Sequence, residues 1–129
     1  MQISCGTDII ETKRIKDAIK KWKEPFLKRI FTDREIAYSM KRKFYFEHLA
    51  ARFAAKEAVL KGFGDGFTSS NLKDVEIVND EHGRPSVILK RKMEQLRKKK
   101  NIETITISMS HTRHYAQAMA ILIGKQCSE

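Results

Sequence analysis

Residues 44–61 contain neither glycine nor proline and are rich in alanine, leucine, glutamate and lysine. These side chains lose little conformational freedom in a helix, so the segment predicts one long α-helix. Gly62, Gly64 and Gly66 follow it and are expected to end it. The chain must therefore fold around a long helix whose C-terminal end meets a flexible glycine-rich loop.

The residues before this helix predict a strand and further helical segments. Residues 2–10 are rich in β-branched side chains and predict a strand. Residues 12–22 place apolar side chains at helical spacing on one face, and Pro25 can open a second, short helical segment. Residues 32–35 have the capping-box pattern Thr-Asp-Arg-Glu, so another helix is expected to begin there.

After the glycines the pattern becomes that of β-structure. Residues 103–110 alternate polar and apolar side chains, as in a half-buried strand, and residues 115–123 are expected to be its antiparallel neighbour. A hairpin is predicted between the glycines and residue 90, with strands at residues 74–78 and 86–89 joined by a turn at residues 81–85. A basic helix is predicted at residues 90–99. Helices followed by strands indicate an α+β fold, with an antiparallel sheet packed against the long central helix.

The length and composition indicate one soluble domain over residues 1–129. The chain is 41% hydrophobic and has no internal repeat or Pro/Gly/Ser-rich linker. Its longest nearly apolar run, residues 116–124, is too short to span a bilayer, and the N-terminus lacks the pattern of a signal peptide. Cys5 and Cys127 have no metal-ligand spacing and are interpreted as free thiols. Free thiols are typical of a reducing compartment, so we expect a cytoplasmic protein.

The net charge of +10 favours an anionic partner. Charge alone would put nucleic acid first, ahead of membrane headgroups, an acidic protein or a phosphorylated small molecule. No recognisable nucleic-acid motif supports that class, however, and few aromatic residues lie within the basic runs. A small basic nucleic-acid-binding module therefore stands only as the alternative hypothesis.

The first predicted helix is strongly basic. Residues 13–29 contain eight lysines and arginines against two acidic residues, and they also present Trp22 and Phe26. A solvated lysine-rich face is the usual meaning of such a run. A basic surface with apolar anchors also suits the docking of an acidic amphipathic helix, and the sequence leaves both interpretations open.

Two carboxylates follow one another near the N-terminus. Asp8 lies in an apolar strand, where a charge needs a partner. That partner is either a metal ion or a local group, through a helix N-cap or a salt bridge to a lysine or arginine. Glu11 lies at the junction of strand and helix, where an interaction with the helix terminus is favoured over a ligand role.

A second acid lies on the long helix. Glu57 and Lys61 are spaced i, i+4, which predicts either an ordinary surface ion pair or part of a site next to the glycine loop. Arg52, Lys56 and Lys61 are expected to form a positive strip around Glu57. If Asp8 and Glu57 converge to about 4 Å, they repel by about 4 kcal/mol at an effective dielectric of 20. Mg²⁺ would remove that repulsion and suits oxygen ligands.

A third motif, Ser110-His111-Thr112, follows a predicted strand. A histidine between hydroxyls suits contacts with phosphate or sugar, and the alternative is a structural histidine. No nucleophile elbow accompanies it, so the motif does not indicate a Ser/His/Asp triad.

These motifs occur in an order that resembles holo-acyl-carrier-protein synthase, the small, bacterial-type branch of the 4′-phosphopantetheinyl transferases. The resemblance rests on residues 6–11 (Gly-Thr-Asp-Ile-Ile-Glu), on residues 52–61 (Arg-Phe-Ala-Ala-Lys-Glu-Ala-Val-Leu-Lys) and on residues 110–112. It covers nearly the whole chain and implies the small transferase fold. The implied activity is transfer of 4′-phosphopantetheine from coenzyme A to a serine of apo-acyl carrier protein, releasing 3′,5′-ADP.

The resemblance also implies roles for individual residues. Asp8 and Glu57 would hold Mg²⁺ against the diphosphate of coenzyme A, and Glu57 would take the serine proton, directly or through a water on the metal. Lys61 would bind the departing phosphate and stabilise its developing charge. The other implied coenzyme A contacts are Arg52, Gly64, Pro85, His111 and Thr112.

The resemblance further implies partners. Arg14, Phe26 and Arg29 would receive the acidic carrier protein, and the family is homotrimeric, with sites between subunits. The chain departs from the family pattern before Pro85, where His82 and Arg84 flank the turn glycine. Alignment with the family also needs a one-residue gap within residues 22–25. The first departure affects the adenine contacts expected near His82 and Arg84, and the gap affects the residues assigned to the carrier surface.

Overall fold

The computed structural model describes residues 1–64 and 69–126, with only the backbone given for residues 69–71. The strands among them are β1 (Gln2–Glu11), β2 (Val75–Asn79), β3 (Pro85–Leu89), β4 (Ile102–His111) and β5 (Tyr115–Gly124). The helices are α1 (Thr12–Ile30), α2 (Asp33–Met40), α3 (Tyr45–Phe63) and α4 (Arg91–Lys99), with a short 3₁₀ segment at Ser69–Asp74.

The main sheet has the order β1-β5-β4 and is antiparallel throughout, and β2 and β3 form a separate antiparallel hairpin. One face of the main sheet packs against α3. Fully buried alanines line this contact, so the helix can lie close to the strands: Ala54, Ala58, Ala116 and Ala120. The predicted α+β class, with an antiparallel sheet against a long central helix, is confirmed.

The end of α3 differs from the prediction by one glycine. Gly62 lies inside the helix, where an added Cβ would come 2.7 Å from Leu122 Cδ1. Gly64 ends the helix with a φ of 99°, a conformation that glycine adopts without strain, and its N–H donates to Lys61 O over 3.1 Å. Gly66 lies outside the described residues.

The two predicted features of the N-terminal helices are confirmed. The backbone of α1 is broken at Lys23, with φ 57° and ψ −144°, two residues before Pro25, which therefore begins a second helical segment. At the start of α2, Thr32 Oγ1 accepts from Glu35 N over 3.3 Å, and Thr32 N donates to Glu35 Oε1 over 2.8 Å. This is the predicted capping box.

The expected positive strip of Arg52, Lys56 and Lys61 is wrong, because Lys56 points into the core. Its side chain is fully buried and forms a 2.7 Å ion pair with Glu35 Oε1. Lys56 Nζ also donates to the carbonyl oxygens of Leu72 and Val75, at 2.9 and 2.6 Å. A buried ammonium requires such partners, and they come from α2, the 3₁₀ segment and the first residue of β2.

Polar and apolar residues alternate over residues 74–78, which predicts a half-buried strand, but the burial of β2 does not alternate. Val75, Glu76 and Ile77 are all buried, because one face of the strand meets α3 and the other meets α2. Glu76 is stabilised there by Thr32 Oγ1, which donates to its Oε2 over 2.5 Å, and by Lys90 Nζ, 3.2 Å from its Oε1. A second buried acid therefore lies beside the Lys56–Glu35 pair.

The outer face of the main sheet carries exposed apolar side chains. Ile3 and Ile9 on β1 and Met119 on β5 are 63%, 68% and 46% exposed. Cys5, on the same face of β1, is an exposed free thiol. In the part of the chain that the structure describes, no helix has both the length and the apolar character needed to cross a bilayer.

Candidate functional site

Asp8 and Lys61 meet where β1 runs beside the end of α3. Lys61 Nζ donates to Asp8 Oδ1 and to the Thr7 carbonyl oxygen, each over 3.0 Å. The ion pair of Lys61 is therefore with Asp8 on the strand, rather than with Glu57 one helical turn away. The sequence left Asp8 a metal ion, a helix N-cap or a salt bridge as its partner, and the structure shows a salt bridge to a lysine.

Glu57 is half-buried beside this pair, and its pKa is raised above the ordinary value of 4.5. Burial is the largest cause and the negative charge of Asp8 is the second, while the charge of Lys61 acts in the opposite direction. Glu57 precedes Ala58, whose carbonyl oxygen lies against Gly6, two residues before Asp8, so the two carboxylates are neighbours. Lys61 is thus paired with Asp8 and also lies close enough to act on the charge of Glu57.

This pair fits a Mg²⁺ ion on the chemistry of its donors. Carboxylate oxygens are hard ligands, and a cation between them would relieve the repulsion that raises the pKa of Glu57. Across residues 1–64 and 69–126, no three or more His, Cys, Asp or Glu side chains form a metal-binding group. Mg²⁺ commonly uses one or two protein carboxylates and completes its shell with water and substrate phosphate, so two are sufficient.

The surroundings of the pair are open to an anionic ligand. The side chains of Lys61 and Asp8 are 54% and 16% exposed. Gly64, three residues after Lys61, is exposed and presents backbone without a side chain. Lys100 Nζ donates to the Phe63 carbonyl oxygen over 2.8 Å, so a second cation lies at this end of α3.

Arg52 belongs to a different cluster. Its guanidinium is buried, donates to Asn79 Oδ1 and lies 4.0 Å from the ring centroid of Tyr38. Arg42 covers the same ring at 3.4 Å. Asn79 pairs with Pro85 in the β2–β3 hairpin, so Arg52 and Pro85 are joined through one residue. Within the described chain, Arg52 Nε is buried without a hydrogen-bond partner.

His111 extends this second cluster from the end of β4. Its Nδ1 lies 3.1 Å from Glu47 Oε1, and its ring meets that of His48 edge-on at 4.8 Å. The pKa of His48 is lowered, first by burial and then by the positive charges of His111, Arg42 and Arg52. An anion bound here would meet several cations.

Thr112 begins the turn between β4 and β5. Its Oγ1 accepts from His114 N and Tyr115 N, at 3.2 and 3.1 Å, and so closes the turn. The hydroxyl has a structural partner already, and it lies next to His111 on an exposed edge.

The carboxylate pair and the Arg52 cluster are separate on one chain. Arg52 and Glu57 are roughly 140° apart around the helix, because five residues advance by 100° each. No hydrogen bond or ion pair joins the two clusters within residues 1–64 and 69–126. The sequence-predicted site residues are therefore brought together in two groups rather than one.

Arg14, Phe26 and Arg29 line one cavity of about 320 Å³ between α1 and α3. Ile10 and Phe53 line it too, and the sequence did not single them out. Each has a carboxylate neighbour: Ile10 lies two residues beyond Asp8 on the same face of β1, and Phe53 lies one helical turn before Glu57. The cavity therefore adjoins the carboxylate pair.

Sequence reasoning also missed four residues of the Arg52 cluster: Tyr38, Glu47, His48 and Asn79. Their contacts join residues far apart in the chain, and no spacing pattern signals them. For Ile10 and Phe53 a signal existed, since both occupy apolar positions beside the motif residues.

Comparisons with known proteins find relatives that match nearly the whole chain. The sequence model of the 4′-phosphopantetheinyl transferase superfamily matches residues 4–120. A holo-[acyl-carrier-protein] synthase of Caldanaerobacter subterraneus subsp. tengcongensis is 42% identical over 128 residues, covering 99% of this chain and all of the relative.

Solved structures show the same likeness. The crystal structure of holo-[acyl-carrier-protein] synthase from Neisseria meningitidis superposes with a TM-score of 0.84 at 29% identity, covering 93% of this chain and 97% of the other. The enzyme of that name from Helicobacter pylori, solved in complex with coenzyme A, has a TM-score of 0.79 at 28% identity, with coverage of 92% and 99%.

Proposed function

Because the chain belongs to the holo-[acyl-carrier-protein] synthase family of the 4′-phosphopantetheinyl transferase superfamily, we propose that residues 1–129 act as one domain that modifies apo-acyl carrier protein. The chain is an enzyme that transfers phosphopantetheine. Its donor is coenzyme A, its acceptor a serine hydroxyl of the carrier, and its second product 3′,5′-ADP. The bound coenzyme A of the Helicobacter pylori relative supports this donor.

In the transfer, the serine oxygen bonds to the phosphorus that bears pantetheine, and the bond from this phosphorus to the bridging oxygen of the diphosphate breaks. Glu57 accepts the serine proton. Its position supports this role, because Glu57 is half-buried one helical turn before Lys61, the group that binds the departing phosphate. Lys61 binds the departing phosphate and stabilises its charge.

Asp8 and Glu57 would hold Mg²⁺, which when bound neutralises charge on the diphosphate. The donor set supports this assignment, because two neighbouring carboxylates lie beside a single lysine, which pairs with Asp8. Asp8 keeps Lys61 directed at the site through their 3.0 Å ion pair. Gly64 offers backbone to the nucleotide without a side chain in the way.

The adenosine and its phosphates are bound by Arg52, Pro85, His111 and Thr112. Since these residues lie apart from the carboxylate pair on one chain, we infer that a second copy supplies them in a homotrimer. The exposed apolar residues Ile3, Ile9 and Met119 support a self-associating sheet face, because patches of this kind mark interaction surfaces.

The carrier protein docks at the cavity lined by Arg14, Phe26 and Arg29. The arginines are exposed and Phe26 is half-buried, which suits an acidic helix with an apolar anchor. The cavity borders the carboxylates through Ile10 and Phe53, so a docked carrier would present its serine to Glu57. A cytoplasmic location is consistent with these partners.

The observation that carries this proposal is the 3.0 Å contact of Lys61 Nζ with Asp8 Oδ1, one helical turn from Glu57. The test is mass spectrometry of apo-acyl carrier protein after incubation with the protein, coenzyme A and Mg²⁺. The carrier should gain the mass of one phosphopantetheine, with 3′,5′-ADP as the second product. Addition of EDTA should prevent the gain. An unchanged carrier mass across several carrier proteins contradicts the proposal.

A further inference from the structure

Gly6 lies where β1 crosses the last turns of α3, and the space there admits no side chain. A Cβ added to Gly6 would come 2.0 Å from the Ala58 carbonyl oxygen and 2.7 Å from Gly62 N. Both are backbone atoms, which cannot rotate away. The backbone of Gly6 does not have a positive φ, so glycine is required here for its size rather than for its conformation.

Hydrogen bonds on either side of Gly6 tie the same strand to the same helix. Ser4 Oγ donates to the Gly62 carbonyl oxygen over 2.8 Å, and Lys61 Nζ donates to the Thr7 carbonyl oxygen over 3.0 Å. The strand therefore contacts the helix through three consecutive points, of which Gly6 is the central and closest one.

This contact determines where the two carboxylates stand. Asp8 is two residues beyond Gly6 on β1, and Glu57 immediately precedes Ala58, whose carbonyl oxygen meets Gly6. Any group inserted between Gly6 and Ala58 must push the strand from the helix. Asp8 moves with the strand and Glu57 with the helix, so their separation increases.

We propose that Gly6 is a positioning residue, which brings β1 close enough to α3 for Asp8 and Glu57 to share one divalent cation. The inference rests on the proposed function, because it assumes the metal site of the transferase. It adds a requirement outside the carboxylates themselves: the site depends on a backbone contact that one methyl group would open.

The chain offers a matched control at Gly124. A Cβ there would come 2.0 Å from the Asn101 carbonyl oxygen, as close as the contact at Gly6. Gly124 pairs with Gln2 and Ile102 at the other end of the sheet. Gly124→Ala should therefore disturb the backbone as severely as Gly6→Ala while leaving the carboxylates in place.

The experiment measures Mn²⁺ binding by the electron paramagnetic resonance of free Mn²⁺, on wild-type protein and on both alanine variants. Thermal unfolding of each protein is recorded alongside. We expect both variants to lose thermal stability, and Gly6→Ala alone to weaken Mn²⁺ binding by about tenfold or more. Equal Mn²⁺ affinity in Gly6→Ala and wild type would overturn the inference and leave the transferase proposal intact.

Wild-type protein that binds no Mn²⁺ would overturn the metal site and this inference together. If Gly6→Ala fails to fold, Ser4→Ala tests the same contact by removing its hydrogen bond to Gly62. Its control is Gln2→Leu, which removes hydrogen bonds to the carbonyl oxygens of Lys100 and Lys125 at the far end of β1. Weaker Mn²⁺ binding in Ser4→Ala than in Gln2→Leu supports the inference, and equal binding overturns it.

Discussion

Lys61 Nζ lies 3.0 Å from Asp8 Oδ1, although the two residues are 53 positions apart in the chain. Burial, and after it the charge of neighbouring Asp8, raises the pKa of Glu57, while the charge of Lys61 acts in the opposite direction. The end of α3 thus supplies both an acid, Glu57, and the cation that pairs with the neighbouring Asp8. Roles that the motifs suggested separately are physically coupled at this point.

Replacing Glu57 by glutamine should lower turnover by about a hundredfold or more, because the proton acceptor is lost while the shape of the side chain is kept. The variant should retain the oligomeric state of wild type. Single-turnover transfer to apo-carrier protein, followed by mass spectrometry, measures the loss. Glu103→Gln, an exposed change on β4, is the control and should transfer normally. Full transfer by Glu57→Gln would show that Glu57 is not the base.

Lys56→Met should destabilise the protein by about 3–5 kcal/mol, because it leaves Glu35 buried without its ion-pair partner. Urea unfolding gives the free energy. Adding Glu35→Gln removes the unpaired charge and should recover part of the loss. Lys98→Met, at an exposed position of α4, is the control. Similar losses of unfolding free energy in Lys56→Met and Lys98→Met would contradict the importance of the buried pair.

Glu76 should make the stability of the protein depend on pH in acid. Burial alone would raise its pKa, but hydrogen bonds from Thr32 and Lys90 hold the pKa below the ordinary 4.5. The unfolded chain therefore takes up the proton more readily, and the stabilisation is complete above about pH 4.5 and lost as the pH falls through the folded value.

Thermal unfolding of wild type and Glu76→Gln across the acid range measures this dependence. The variant should be less stable at neutral pH, and its stability should fall less steeply in acid. Parallel curves for the two proteins would refute the role of Glu76.

The sequence predicted what depends on local pattern and missed what depends on distant partners. The capping box at Thr32 and the break before Pro25 are local, and both are present. Lys56 looked like a surface cation, because its partner Glu35 lies on another helix and no spacing joins them. The convergence of Asp8 and Glu57 likewise required the packing of β1 on α3.

Arg29→Glu should raise the KM for carrier protein by about tenfold, because it places an acid at the surface that we propose receives an acidic helix. The KM for coenzyme A should not change, since Arg29 lines the cavity proposed for the carrier and is not among the residues proposed to hold coenzyme A. Steady-state kinetics with each substrate varied separates the two. Lys92→Glu on α4 makes the same charge change at an exposed site and should leave both values unaltered. If Arg29→Glu raised the KM for coenzyme A more than the KM for carrier protein, the carrier would have to dock at another surface.

Mixing two inactive variants should restore activity if the site forms between subunits. Glu57→Gln damages the carboxylate half of the site, and His111→Ala damages the Arg52 half. In trimers reassembled from equal amounts, about a quarter of the sites would combine two intact halves. Denaturing and refolding the mixture, then measuring transfer, tests this.

The control mixes Glu57→Gln with Lys61→Met, which damage the same half. No site in that mixture combines two intact halves, so its activity should stay at the level of the separate variants. Recovery only in the first mixture supports a shared site. Equal results from both mixtures would mean that each chain builds its site alone, and His111 would then serve the fold through Glu47 and His48 rather than the neighbour's coenzyme A.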